Sequence, residues 1–376
     1  MNYSTALQVN AASRRVGGDV SASWSSLLAL AYMAEPLWGQ ARGGSAATNT
    51  ASFWTDVELL QVGNGELTAA QQEAHFFLWC ALHAPLMLST RLSGLSAAQV
   101  QLLTNAEALD INHDASGSQA HRLSLEPLHG GSLTALPKQV LALACSRADS
   151  PAPSPGQAWV PSPATAQGGG AAVSLQLALN RSLCLVRPKC GGDSSVAVDL
   201  CSSALCEGGR GALWEEAQDG SQQVRSLASG GGCLSFEPRV QVVPCSQGPS
   251  AYQSLTFNNG TGQLVMNFTG SGARGDYTGY AQCLDAMPLT SGEVWGGNLS
   301  AGDLSIIALN PTPEAANITI NATALASALG YESLGGFKRL RAVRDVGSRA
   351  SLSNASCVFQ VLVESEGARF LRLTPS

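Results

Sequence analysis

The 376-residue chain is short of charge: Asp, Glu, Lys and Arg make up only 13% of it, and nowhere do Lys and Arg gather into a cluster. A protein that grips nucleic acid neutralises phosphates with a basic face. The net charge of −6 and pI of about 5.4 therefore argue against nucleic acid and for a neutral ligand. Long apolar runs are missing too, since no uninterrupted stretch approaches the roughly 18 residues that would cross a bilayer. With 45% hydrophobic residues and a mean hydropathy of +0.07, the composition predicts a folded, soluble chain of two or three domains. The first ten residues, MNYSTALQVN, lack the basic and apolar regions of a signal peptide.

Cysteine is plentiful but lacks zinc spacing. Ten are present, seven of them between Cys184 and Cys283, with no CxxC…CxxC pattern. Disulfides are the better expectation, and neither metal nor cofactor is expected. Sequons of the N-x-S/T type fall at Asn2, Asn180, Asn259, Asn267, Asn298, Asn317, Asn321 and Asn354. Cysteines and sequons together favour a secretory route. Without a signal peptide, either a preceding segment is missing from this sequence or the chain is not secreted.

Residues 13–120 read as short strands alternating with helices. SSLLALAYMAEPLW is a helical run ended by Pro36, and FWTDVELLQVG is a strand stopped by glycine. Thr68 with Gln71 forms a capping box for AAQQEAHFFLWCAL, whose apolar residues lie on nearly every side and predict burial. APLMLS is a second apolar strand, and Ser96 caps another helix. Such βα alternation implies parallel strands covered by helices, doubly wound or barrel.

Beyond about residue 130 the period changes. VLALAC, VAVDLC and VQVVPC recur, each followed by turns and then an aromatic at Trp159, Trp214 or Phe257, and SLCL, GGCL and AQCL close the units. A threefold repeat of short strands buries them only by closing on itself. The spacing resembles a ricin-type β-trefoil, with one full Q-x-W at Gln157–Trp159. DSPAPSPGQAWVPSPATAQGGG reads as a loop inside the first unit. From about residue 291, LSIIALN, ITINAT, RLRAVRDV, VFQVLVES and ARFLRLTP predict an antiparallel β-sandwich.

RVGGD, then FWTDVELLQVGNGELTAAQQEAHFFLWCALHAPLMLS, then LLTNAEALDINHDASGSQA resemble, in order and spacing, the second half of the catalytic barrel of the α-galactosidase (melibiase) family. EVWGGNLSAGDLSIIALN resembles the start of that family's C-terminal sandwich. The resemblance implies an α/β plus all-β chain. Residues 1–125 would be about strands six to eight of a (β/α)₈ barrel, 130–288 a ricin-like trefoil insertion, and 289–376 the sandwich. Barrel sites lie at the C-terminal ends of the strands, where loops converge on one ligand.

By that resemblance Asp19 is the general acid/base and Arg15 the sugar-binding arginine of an R-x-x-x-D motif. Retaining glycosidases need one such carboxyl and a second carboxylate about 5–5.5 Å away as nucleophile. Read alone, Arg15 and Asp19 also fit a plain ion pair at a helix start. WTDVELL resembles W-N-D-P-D-M-L, which assigns Glu58 and Leu59 to the sugar pocket. Glu58 reaches one methylene farther than the family's Asp. Thr55, Val57, Arg14 and Arg91 also depart from the pattern. His75, His83, His113, Asn112 and Asp114 are expected to be structural.

The resemblance places the nucleophile and a pair of acidic sugar ligands upstream of R-x-x-x-D, so the chain should carry only the acid/base half and be inactive alone. The implied activity is retaining hydrolysis of terminal α-galactosides, with α-N-acetylgalactosaminidase specificity as an alternative. A second alternative is a non-catalytic carbohydrate-binding protein. Its candidate sugar ligand is Asp285, because Val186 and Ser235 stand at the matching places of the other units. A full-length parent would be secreted, lysosomal or vacuolar. The trefoil resemblance implies Cys184–Cys201 and Cys233–Cys245. Closure of the ring implies Cys145–Cys283, with a local Cys190–Cys206 bridge and free thiols at Cys80 and Cys357.

Overall fold

The computed structural model describes residues 13–35, 53–114, 118–128, 140–145, 155–165, 171–178, 180–188, 194–202, 207–217, 219, 221–236, 240–246, 253–266, 282–286, 291–330, 339–352 and 356–376. The chain divides into two compact units: Met1–Thr134 with Thr290–Ser376, and Ala135–Leu289.

In the first unit, strands Ser13–Arg15 and Trp54–Asp56 pair in parallel, Arg15 opposite Asp56. A parallel bridge joins Leu60 to Leu88. These strands are shorter than FWTDVELLQVG and APLMLS promised. The cause lies just after Asp56, whose Oδ1 accepts the Glu58 N–H at 2.9 Å, while Glu58 takes a φ of 78° that breaks the extended run. Helix Trp24–Ala34 ends at Glu35, whose dihedrals are still helical and whose N–H bonds Ala31 O; Pro36 follows, and a proline has no N–H with which to carry the ladder on. Thr68 and Gln71 form the expected capping box of helix Ala69–Ala81, which is buried along most of its length. Ser96 and Gln99 do the same for Ala97–Leu103, and Asn105 caps Ala106–Asn112.

The same unit holds a six-stranded antiparallel sheet in the order Ala350–Leu352, Leu340–Asp345, Gly367–Pro375, Leu304–Asn310, Ser291–Asn298 and His121–Pro127. A two-stranded sheet pairs Ala316–Asn321 with Val358–Val363. Alternate residues of both sheets, among them Ile306, Leu371, Ile318, Ile320 and Val363, join one buried cluster. At its margin lies a buried polar group. Glu293, with no exposure, accepts hydrogen bonds from Tyr32 Oη at 2.9 Å and Trp295 Nε1 at 2.7 Å, and Arg122 lies 3.6 Å away.

Among the described residues the second unit holds short strands, turns and two 3₁₀ segments, Pro155–Gln157 and Glu207–Ala212, and the same strand pairing recurs three times. Cys184, Cys233 and Cys283 each lie on a strand paired antiparallel with one that ends one or two residues before Cys201, Cys245 and Cys145 respectively. All three pairs are disulfides, with Cα separations of 5.0, 4.9 and 4.9 Å. Trp159 Nε1 donates to Leu284 O and Trp214 Nε1 to Leu185 O, both at 2.9 Å. In the third repeat the residue opening the matching strand is Leu255, 1% exposed, and not Phe257. Gln253 precedes it as Gln157 precedes Trp159, so the repeat keeps its glutamine and replaces its tryptophan by leucine. Cys80 and Cys357 are thiols outside any disulfide, as expected, whereas Cys190 and Cys206 lie outside the described residues.

Candidate active site

Arg15 and Asp56 end two adjacent parallel strands, and Asp19 and Glu58 follow within four residues of those ends. The topology thereby brings the sequence's candidate residues to one edge of the strands. Arg15 is their hub: Nη2 lies 3.2 Å from Asp19 Oδ1 and donates to Gly18 O at 2.9 Å, while Nη1 lies 3.6 Å from Glu58 Oε1. A planar guanidinium fork suits such divided contacts. The Asp19 side chain is fully exposed, the Arg15 side chain 30% and the Glu58 side chain only 11%.

Glu58 is committed to the protein at both ends. Its Oε2 accepts the Val20 N–H at 3.0 Å, and its carbonyl accepts Trp79 Nε1 at 2.8 Å from the buried helix. The longer side chain thus closes the loop that carries Asp19, a contact that residue type alone did not announce. Leu59, beside it, is half-buried. Thr55, in place of the family's Asn, bonds through its hydroxyl to Gln119, whose amide donates to Ala34 O at 3.1 Å. Gln119 escaped the sequence reading because a polar residue outside any periodic segment gives no pattern. Val57 is fully buried, Arg14 lies over the Phe53 ring with its guanidinium carbon 5.8 Å from the centroid, and Arg91 is exposed.

The histidines serve the interior. His75 Nε2 accepts the Gln61 N–H at 2.9 Å, and burial pulls its pKa down to about 3. His83 stacks on Trp54 at 5.2 Å, and its Nδ1 lies 3.2 Å from Asn112 O; burial lowers its pKa, against a smaller upward pull from that carbonyl. His113 caps the end of helix Ala106–Asn112. Asn112 donates to Ala84 O at 3.0 Å, and Asp114 accepts from the Ser300 amide and hydroxyl at 2.9 and 2.8 Å. In the second unit Asp285, the candidate second sugar ligand, is a buried strand residue, 1% exposed and paired with Leu141.

Residues 1–114 match a family model, Melibiase_2, described as alpha galactosidase A. Probable alpha-galactosidase B of Penicillium simplicissimum is 36% identical over 110 residues, 28% of this chain and 23% of that protein. Alpha-galactosidase 2 of Arabidopsis thaliana is 31% identical over 112 residues, 30% of this chain and 26% of that protein. The matched region spans about a quarter of the length of these curated relatives. Among solved structures, alpha-galactosidase I from Mortierella vinacea aligns with a TM-score of 0.44 at 14% identity, over 97% of this chain and 53% of that one. The Saccharomyces cerevisiae enzyme with raffinose gives 0.44 at 13% identity, over 96% of this chain and 59% of that one. Over its first 114 residues the chain is thus related to the α-galactosidase (melibiase) family.

Proposed function

We propose that the chain is the acid/base-bearing part of a retaining α-galactosidase, acting on terminal α-D-galactosyl residues. One observation carries the reading: within the segment matched to the family, Arg15, Asp19 and Glu58 converge at the C-terminal ends of adjacent parallel strands. In this reading Asp19 protonates the departing glycosidic oxygen and then takes a proton from the attacking water. Its full exposure leaves it accessible to a substrate. Arg15 orients Asp19 and offers its remaining donor capacity to a sugar hydroxyl, and Leu59 supplies apolar contact to the pocket. Glu58 serves first to hold the Val20 amide, with a sugar contact available only through its Arg15-facing oxygen.

Retaining chemistry also requires a nucleophilic carboxylate, and the family resemblance assigns it to a strand that has no counterpart in this sequence. We further read 1–125 as about strands six to eight of a barrel, 130–288 as a ricin-like trefoil insertion, and 289–376 as a C-terminal sandwich. The recurring disulfide-linked strand pairs support the trefoil. Disulfides at Cys145–Cys283, Cys184–Cys201 and Cys233–Cys245 support an oxidising compartment, and we take the route to it to be secretory.

The test is hydrolysis of an α-galactoside with a poor leaving group. The chain alone should give no turnover. Joined to barrel strands that supply the second carboxylate it should turn over, and Asp19→Asn should lower that rate by about 10²–10⁴-fold. An equal rate with Asn at this position would remove Asp19 from the mechanism, and brisk turnover by the chain alone would remove the missing-nucleophile assignment.

A further inference from the structure

Two sequons meet two exposed apolar side chains on one face. In the two-stranded sheet Asn317 stands directly opposite Leu362 and Asn321 opposite Val358, with Thr319 and Gln360 between them. Leu362 is 57% exposed and Val358 51%, while the alternate residues Ile318, Ile320, Val361 and Val363 turn into the core. A sheet face that exposes apolar side chains is a hazard for association unless something covers it. Residues directly opposite on paired strands have Cβ atoms about 4.5–5.5 Å apart. A sugar on the amide of Asn317 or Asn321 therefore lies over the neighbouring apolar side chain.

We propose that Asn317 and Asn321 are N-glycosylated, and that their glycans cover Leu362 and Val358. The proposal rests on the secretory reading given above. Asn317 is exposed, and its side chain makes no hydrogen bond among the described residues. Asn321 is exposed too, and it caps helix Ala322–Ala328 through Oδ1, which accepts the Ala324 N–H at 3.1 Å. Glycosylation uses the nitrogen, so the cap survives. The donor is a lipid-diphosphate-linked oligosaccharide: its anomeric C–O bond breaks as the Nδ2–C bond forms, one amide proton passes to solvent, and the lipid diphosphate leaves.

Asn298 has the same tripeptide signature but the opposite environment. It is half-buried, its Nδ2 donates to Leu329 O at 3.2 Å, and the Ser300 hydroxyl of its sequon is held by Asp114 at 2.8 Å. A glycan on that nitrogen would have to leave a half-buried site beside the Leu329 carbonyl, and the hydroxyl that should assist its transfer is already engaged. Asn298 is therefore not modified in the folded protein.

The full chain is secreted behind a cleavable leader from a eukaryotic cell and mapped by peptide mass after enzymatic deglycosylation in heavy-oxygen water, which marks each glycosylated asparagine. Label is expected at Asn317 and Asn321 and absent at Asn298. An unlabelled Asn317 or Asn321, or a labelled Asn298, overturns the proposal. Labelled asparagines in the secreted chain but bare ones in the protein from its own cells would support the acceptor face and refute the secretory reading. The Asn317→Gln, Asn321→Gln double variant should scatter more light on concentration, and adding Leu362→Thr and Val358→Thr should reverse it. Scattering equal to that of the parent would refute the covering role.

Discussion

His75 has no exposure, and its Nε2 accepts the Gln61 amide, so protonation would both bury a charge and turn an acceptor into a donor. Burial sets its folded pKa near about 3, and that of His121 near about 4, against an ordinary 6.5. The unfolded chain therefore binds protons that the fold refuses. The stability these residues contribute is complete above about pH 6.5 and falls as pH drops from there toward about 3–4, by up to about 1.4 kcal/mol per pH unit for each. Urea unfolding should show a lower midpoint at about pH 5 than at about pH 7. His75→Gln, which keeps an acceptor oxygen for Gln61, should soften the drop, and a midpoint indifferent to pH would refute the assignment. Glu293 makes a second residue-scale case. Arg122, 4% exposed, faces its carboxylate, so Glu293→Ala takes a counter-charge from a buried cation and leaves the Tyr32 hydroxyl and Trp295 Nε1 without their acceptor; thermal unfolding should show a clear loss, about 3 kcal/mol. Neither environment is visible in sequence, because burial is a property of the partners.

At the scale of elements, the sequence was most legible where the chemistry is local. Thr68 with Gln71 and Ser96 with Gln99 state their capping boxes within four residues, and both helices begin where those boxes place them. Thr68→Ala should destabilise the chain by about 1 kcal/mol while Thr68→Ser stays near the parent, compared by urea midpoint. Equal losses for both would show that the cap does not hold the helix. The strands were harder to read. Apolar runs predicted extended segments in FWTDVELLQVG and APLMLS, but the strand in the first spans only Trp54–Asp56, and a single bridge, Leu60 to Leu88, links the first run to the second. Hydrophobicity fixed neither burial nor extent: Met87 and Leu88 of APLMLS are 49% and 38% exposed, and in the first run the Asp56 side chain and the positive φ of Glu58 decide where the chain turns. The candidate site follows the same division. Arg15 and Asp19 were legible from their spacing and Glu58 from its neighbours, but its bond to the Val20 amide depends on a loop 38 residues away.

At the scale of the whole molecule, the three disulfides differ most in the length of chain each encloses. Cys145 and Cys283 are 138 residues apart, against 17 for Cys184–Cys201 and 12 for Cys233–Cys245. In the chain-entropy account a bond stabilises by restricting the unfolded state, with a gain that rises with the logarithm of the loop, giving about 5 kcal/mol for the long loop and about 3 kcal/mol for the shortest. The long bond joins the first strand of the Ala135–Leu289 unit, Leu141–Ala144, to its last, Gln282–Asp285, which also pair directly. Replacing Cys145 and Cys283 together by serine should therefore lower the stability of this unit more than replacing Cys233 and Cys245. Hydrogen exchange separates the cases by location. Without the long bond, amides of Leu141–Ala144 and Gln282–Asp285 should lose protection first, because the β pairing there must close a long loop unaided. Without the short bond, loss should begin in Cys233–Ser235 and Gln241–Val243. If the long-bond variant keeps its protection while the short-bond variant loses it, the threefold unit is not held closed by its two ends, and closure must come from the interior contacts of Trp159 and Trp214.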